Sequence, residues 1–177
     1  LLWQELGLPA PEHRLGIGSG PHGEQTGRML AAIEPILVQH QPDWVVVLGD
    51  TNSTLAGALA ASKLRLPLAH VEAGMRSGDR GMPEEQNRVV ADHLASLLFV
   101  STPQAEANLR AEGIVRGVHR CGDLMKDALE LFRPHFSSAW PAGFPAFADG
   151  EFAVATVHRA ENTDEPSRLA GLLAGLG

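Results

Sequence analysis

A single cysteine, Cys121, among 177 residues leaves no partner for an internal disulfide and no thiolate set for a structural zinc site. That usage fits a reducing compartment, and a cytoplasmic protein is expected. No apolar run approaches the roughly 20 residues of a membrane span, and no signal peptide is visible, so no membrane partner is expected. Cations are scarce. The 14 Lys and Arg against 21 Asp and Glu give a net charge of −7, and they are scattered rather than clustered, which argues against a nucleic-acid groove or an anionic membrane surface. The eight histidines show no HxxxH or HxH pairing, so neither a metal site nor a metal cofactor is expected. A Walker lysine, a G-x-S-x-G elbow and solenoid-period repeats are all missing too. The chain starts at Leu1 without methionine and stops inside the amphipathic run SRLAGLLAGLG; a fragment of a longer protein is the expectation.

What the sequence does hold is a repeated pattern of apolar segment, turn and carboxylate. Residues 45–88 place Asp50, Glu72 and the pair Glu84/Glu85 at the ends of successive apolar segments. That pattern predicts parallel strands delivering acids to one edge of a sheet. Residues 44–48 read as a strand buried on both faces, 68–71 as a second, 97–100 as a third and 118–121 as a short fourth. Helices are predicted over 24–40, with Pro35 inside the pattern, then 55–64, 83–96, 103–112 and 124–132. Asn52, Ser53 and Thr54 are candidate caps for the second of these. Residues 133–150, with three prolines between aromatic and polar residues, read as a connection between domains. Beyond it, residues 152–157 read as a strand and 167–176 as the start of a helix. Strand–helix alternation predicts an α/β fold with a Rossmann-like, doubly wound parallel sheet. Ligands on such sheets bind beyond the carboxyl ends of the strands, where Asp50, Glu72 and His158 fall.

Taken singly, each of these residues has an ordinary structural reading. Asp50 suits a turn, and Glu84 and Glu85 suit a helix first turn, where the dipole favours acids; Glu85 is read that way. Glu72 ends a strand, where burial is costly unless the carboxylate is paired, protonated or working. Several acids on one rim suit proton transfer, because unequal environments leave one a base and another an acid. His158 and Arg159 could meet a phosphate.

Four ordered motifs carry a resemblance. Gly49-Asp50-Thr51, His70-Val71-Glu72-Ala73-Gly74-Met75-Arg76, Pro83-Glu84-Glu85-Gln86-Asn87-Arg88 and His158-Arg159-Ala160-Glu161-Asn162 closely resemble the non-hydrolysing UDP-N-acetylglucosamine 2-epimerases. The likeness runs from HGEQTGRML at His22 through TVHRAENTDEPSRL. It implies a glycosyltransferase-B-like fold of two Rossmann-type domains with a UDP-sugar in the cleft. It also implies removal of the sugar's C2 proton with loss of UDP across C1–C2, then re-addition with inverted C2 configuration, without a cofactor. Residue by residue, Asp50, Glu72 and Glu84 match the family's catalytic acids and His158 its catalytic histidine, while Arg88, Arg159 and Arg76 are candidate substrate contacts.

By that resemblance, residues 1–132 form an incomplete N-terminal domain, and 151–177 begin a truncated UDP-binding domain. The parent is expected to be a homodimer and the 177-residue chain alone inactive. Arg80-Gly81-Met82 and the run HRAENTDEP look closer to the branch acting on UDP-2,3-diacetamido-2,3-dideoxyglucuronate, whose uronate would want an extra cation such as Arg76 or Arg80. A glycosyltransferase of the same architecture, or a non-catalytic UDP-sugar-binding module, is the alternative from another class.

Overall fold

The computed structural model describes residues 7–136, 143, 150, 152–158 and 160–176. Residues 1–6, most of the proline-rich connection and the proposed contact Arg159 lie outside the described residues. The chain divides into two compact units, Leu1–Phe132 and Arg133–Gly177.

The first unit alternates helix and strand as α1 (His22–His40), β1 (Val45–Leu48), α2 (Asn52–Lys63), β2 (Leu68–Val71), α3 (Pro83–Leu94), β3 (Leu97–Val100), α4 (Pro103–Ala111), β4 (Val118–Arg120) and α5 (Leu124–Phe132). The strands form one parallel sheet in the order β1-β2-β3-β4, with Val47 beside His70, His70 beside Leu98 and Leu98 beside Val118. Parallel neighbours need a crossover, and α2, α3 and α4 each supply one.

Side chains alternate across a strand, so Val45, Val47, Leu68, His70 and Leu98 share one face. Helix α2 lies close on that face because its inward positions are small. Ala56, Ala58, Ala60 and Ala61 are almost fully buried, and a Cβ on Gly57 would sit 3.0 Å from Val47. Val47, Ala58, Ala61 and Leu68 pack with Ala91 of α3, while Leu98 and Val100 pack with Ala73 and with Ala105 and Leu109 of α4.

Two expectations change here. Residues 44–48 were expected to be buried on both faces, yet Val46 and Leu48 are 55% and 58% exposed. β1 is the sheet's edge strand, and the helices packed against the core residues cover only the Val45/Val47 face. Helix α2 begins three residues earlier than the pattern indicates, with Thr51 at the cap position; the Thr54 hydroxyl instead donates to the Leu48 carbonyl at 2.6 Å.

In the second unit, residues 152–158 form no strand, contrary to the sequence reading, and helices α6 (Ala160–Thr163) and α7 (Pro166–Leu176) follow. A strand exists only with a ladder partner, and all four strands among the described residues belong to the first unit.

The turn after β2 is sterically closed. Gly74 has φ +76°, and a Cβ there would lie 2.4 Å from the Ala105 carbonyl oxygen. Gly74→Ala is therefore expected to lower unfolding stability by at least about 2 kcal/mol, from backbone strain and overpacking together. Denaturant midpoints of the two chains check this.

Candidate functional site

Beyond the carboxyl ends of β1 and β2 the backbone leaves the strand conformation at once. Gly49 has φ +65° and Glu72 has φ +67°, so the residues directly after both strands lie in the left-handed region. For Gly49 that region is free of steric cost, whereas for Glu72 it costs about 1–3 kcal/mol and persists only where the surroundings impose it. Here they do: Gly49 N–H donates to the Val71 carbonyl at 3.0 Å and Ala73 N–H to Phe99 at 3.1 Å, which pins the chain on both sides of Glu72. The Glu72 carboxylate lies over Gly49, with Oε2 only 3.3 Å from where a Gly49 Cβ would stand. It makes no hydrogen bond or ion pair among the described residues.

Asp50 is held differently. Its carboxylate Oδ2 accepts from Nη2 of Arg88, and its carbonyl accepts from Asn87 Nδ2 at 2.8 Å. Arg88 also reaches Glu85 Oε2 at 3.2 Å. One guanidinium, 16% exposed, thus ties the acid at the end of β1 to the first turn of α3. Glu84 stands in that first turn, half-buried and without a hydrogen bond or ion pair among the described residues. Arg88 is placed as a candidate anion contact only insofar as a ligand shares it with Asp50 and Glu85.

Glu85 stands in the first turn of α3, where it was read as a helix-terminus acid, and it has further partners. It is 4% exposed and receives the backbone N–H groups of Ser77 at 2.9 Å and Gly78 at 3.0 Å. Burial alone would raise its pKa. The Ser77 and Gly78 N–H donors, the Ser77 hydroxyl and Arg88 outweigh burial and hold the carboxyl below its ordinary value. Glu85 therefore anchors the loop between β2 and α3.

Arg76 is also committed. It donates to Asp92 Oδ2 at 2.8 Å and, through two nitrogens, to both carboxylate oxygens of Glu112 at 2.7 Å each. Burial disfavours its charge, but Glu112 and Asp92 more than compensate and push its pKa above the ordinary value. Freeing it would leave Asp92 buried with one partner fewer, whereas Arg80 is exposed.

Sequence reasoning missed the polar framework. His70, fully buried, meets Asp92 Oδ1 through Nδ1 at 2.6 Å and the Gly49 carbonyl through Nε2 at 2.8 Å. Asp92 in turn accepts the Gly74 N–H at 3.0 Å. Across the first turn of α2, Asn52 joins Gln25 at 2.7 Å and His22 at 3.0 Å on α1 to Asn87 at 3.3 Å on α3. Those partners are 18 to 35 residues apart, so no local spacing reveals them. The one available signal was that polar residues crowd the motifs HGEQTG, GDTNS and PEEQNR. His158 is exposed in the second unit.

The Glu85 contacts carry a pH signature. Its folded pKa is depressed, so its contribution is present above the unfolded value of about 4.3 and is lost as pH falls through the lower folded value. Glu85→Gln is expected to cost about 1.5–3 kcal/mol at neutral pH. The gap from the parent chain should stay flat from about pH 6 to 8 and shrink below about pH 4 in urea unfolding measured against pH.

Comparisons with known proteins agree on one family. The family model for UDP-N-acetylglucosamine 2-epimerase matches residues 1–177. A UDP-N-acetylglucosamine 2-epimerase homolog of Methanococcus maripaludis is 48% identical over 98% of this chain and 49% of its own length. The UDP-2,3-diacetamido-2,3-dideoxy-D-glucuronate 2-epimerase of Pseudomonas aeruginosa is 47% identical over 99% of this chain and 49% of its own. The crystal structure of Methanocaldococcus jannaschii UDP-GlcNAc 2-epimerase in complex with UDP-GlcNAc and UDP superposes with a TM-score of 0.81 at 45% identity, covering 98% of this chain and 49% of that one. Its parallel α/β architecture is shared with these glycosyltransferase-B-like structures. The chain thus spans about half the length of the relatives it matches. Among the described residues no helix is long and apolar enough to cross a membrane. With a match over its whole length and an acid-lined strand rim of the kind its motifs imply, the chain belongs to the UDP-N-acetylglucosamine 2-epimerase family.

Proposed function

We propose that this chain supplies the acid-bearing half of a UDP-N-acetylglucosamine 2-epimerase, in which Asp50, Glu72 and Glu84 handle the C2 proton while UDP leaves and returns. The observation that carries the reading is the contrast among the acids at one sheet edge. Asp50 is neutralised by Arg88, whereas Glu72 and Glu84 keep open carboxylates, and Glu72 sits on backbone that is held in an unfavourable conformation. A C2–H beside an acetamido group is only weakly acidic. Its removal needs a placed carboxylate within hydrogen-bond reach and stabilisation of the charge that develops on the departing pyrophosphate. Open acids fit the first task. Arg88 fits the second, with His158 and Arg159 as further contacts from residues 151–177, which we assign to the start of a UDP-binding domain. Residues 1–132 would be an incomplete first domain and 133–150 the connection. The parent protein is proposed to be a cytoplasmic homodimer that needs no cofactor.

One observation favours a second substrate. The Pseudomonas relative named for the diacetamido-glucuronate is as similar as the UDP-GlcNAc enzymes, and Arg80 is exposed beside the first turn of α3, with its carbonyl bound by Gln86 at 3.1 Å. Assay of both UDP-sugars separates the two readings.

The test uses the protein extended to the length of its relatives and incubated with UDP-GlcNAc in deuterated water. Deuterium at C2 of both epimers is expected; its absence with either sugar overturns the proposal. Glu72→Gln and Glu84→Gln should each slow exchange by about 10²–10⁴-fold, and His158→Asn should lower turnover more than UDP affinity. The 177-residue chain alone should show no turnover. Glu72→Gly adds a control on stability: it should remove activity yet unfold no earlier than Glu72→Ala, because glycine relieves the left-handed strain.

A further inference from the structure

Away from the strand rim, the segment before α1 folds back on the end of that helix. His13 Nε2 and His40 Nε2 share a hydrogen bond at 2.9 Å, with the two rings T-shaped, their planes at 77° and their centroids 5.0 Å apart. Glu12 completes the group: one donor atom from each of Glu12, His13 and His40 lies within 4.8 Å of the others. All three side chains are exposed.

We propose that Glu12, His13 and His40 form a surface site for a divalent transition metal of the zinc class, which clips the segment before α1 to the helix's last turn. Two imidazoles and one carboxylate are a zinc donor set, and imidazole nitrogen is the ligand shared by Zn²⁺, Co²⁺ and Ni²⁺. Bonds of about 2.0–2.1 Å at tetrahedral angles put donors about 3.3 Å apart, with water in the fourth position. The two Nε2 atoms stand 2.9 Å apart, and no two of the three donor atoms are more than 4.8 Å apart. Adjustments of no more than about 1.5 Å by exposed side chains would close the site around an ion. Both rings already turn the same nitrogen, Nε2, toward each other, and a bound ion would take the place of the proton they share.

Two further observations favour a cation at this place. His40 is the final residue of α1, where unpaired carbonyls carry the negative end of the helix dipole, and Gln41 closes the helix in the left-handed conformation. The same segment is already held against α1 once, by Gln25 Nε2 donating to the Gly18 carbonyl at 2.9 Å, so closing the site demands little additional ordering. Spacing rules for metal motifs could not find this group, because its histidines are 27 residues apart. The proposal does not depend on the epimerase reading.

The experiment titrates the metal-stripped 177-residue chain with Zn²⁺ by calorimetry and with Co²⁺ by visible absorption. One site is expected, with tetrahedral cobalt bands, and Zn²⁺ should shift the imidazole NMR signals of His13 and His40 in the unmodified chain. His13→Ala and His40→Ala should each weaken binding at least tenfold and Glu12→Gln several-fold, while His119→Gln on β4 leaves it unchanged. Tight binding that survives both histidine substitutions, or Zn²⁺ shifts confined to other rings, would overturn the proposal, as would no binding at millimolar metal. The NMR arm does not rely on any variant folding.

Discussion

The rim of the sheet depends on one buried pair, His70 with Asp92. Both are removed from water, and charges are buried at a cost of several kcal/mol each unless every donor and acceptor is answered. Here every one is. His70 faces a carboxylate on one side and the Gly49 carbonyl on the other; Asp92 pairs with His70 and accepts from the Gly74 N–H and from Arg76. Four structural pieces therefore meet at two side chains: the turn after β1, strand β2, the turn after β2 and helix α3. Replacing the pair with apolar residues of similar volume could preserve stability, but it would release the Gly49 carbonyl and the Gly74 N–H, and with them the turns that carry Asp50 and Glu72. The pair is thus better understood as a device for geometry than for stability.

That geometry has a cost elsewhere. Three of the residues at the two strand ends, Gly49, Glu72 and Gly74, have φ near +70°, and only one of them is not glycine. A sequence free to minimise strain would put glycine or asparagine at position 72. Glutamate stands there while the ladder bonds on either side compel the conformation, and its carboxylate is directed over the one residue, Gly49, that lacks a Cβ to obstruct it. Strain at a functional group is expected where a framework over-determines the backbone. The His70–Asp92 pair is that framework.

Much of this was legible in the sequence because it is local. β2 and β3 sit where their apolar runs end, and α5 spans its amphipathic stretch, since period and turn chemistry are properties of neighbouring residues. The placement of acids after β1 and β2 follows from the same reading. What could not be read depends on distant partners. Glu85 looked like any first-turn acid until the loop carrying Ser77 and Gly78 folded over it. Arg76 looked available until Asp92 and Glu112 closed on it from α3 and the end of α4. Residues 44–48 and 152–157 show the other side of the same limit. An apolar run records a demand for burial or pairing, and whether the demand is met depends on other segments: β1 has one face covered, and 152–157 has no ladder partner among the described residues.

The division among the acids follows from these long-range contacts rather than from residue type. Asp50, Glu72, Glu84 and Glu85 are all carboxylates within one short stretch, yet Arg88 takes hold of two of them, Asp50 and Glu85, and leaves the other two open. An acid already bonded to a guanidinium must break that bond, or share it, before it can accept a proton from a substrate carbon. Glu85 is further fixed by two backbone donors, so it is the least suited to moving a proton, while the Asp50 carboxylate is held by Arg88 alone among the described residues. Glu72 and Glu84 need break no bond within the described residues. The same arginine that quiets two acids leaves Glu72 untouched, so the openness of Glu72 rests on the sheet's hold on its backbone and not on any neighbouring cation.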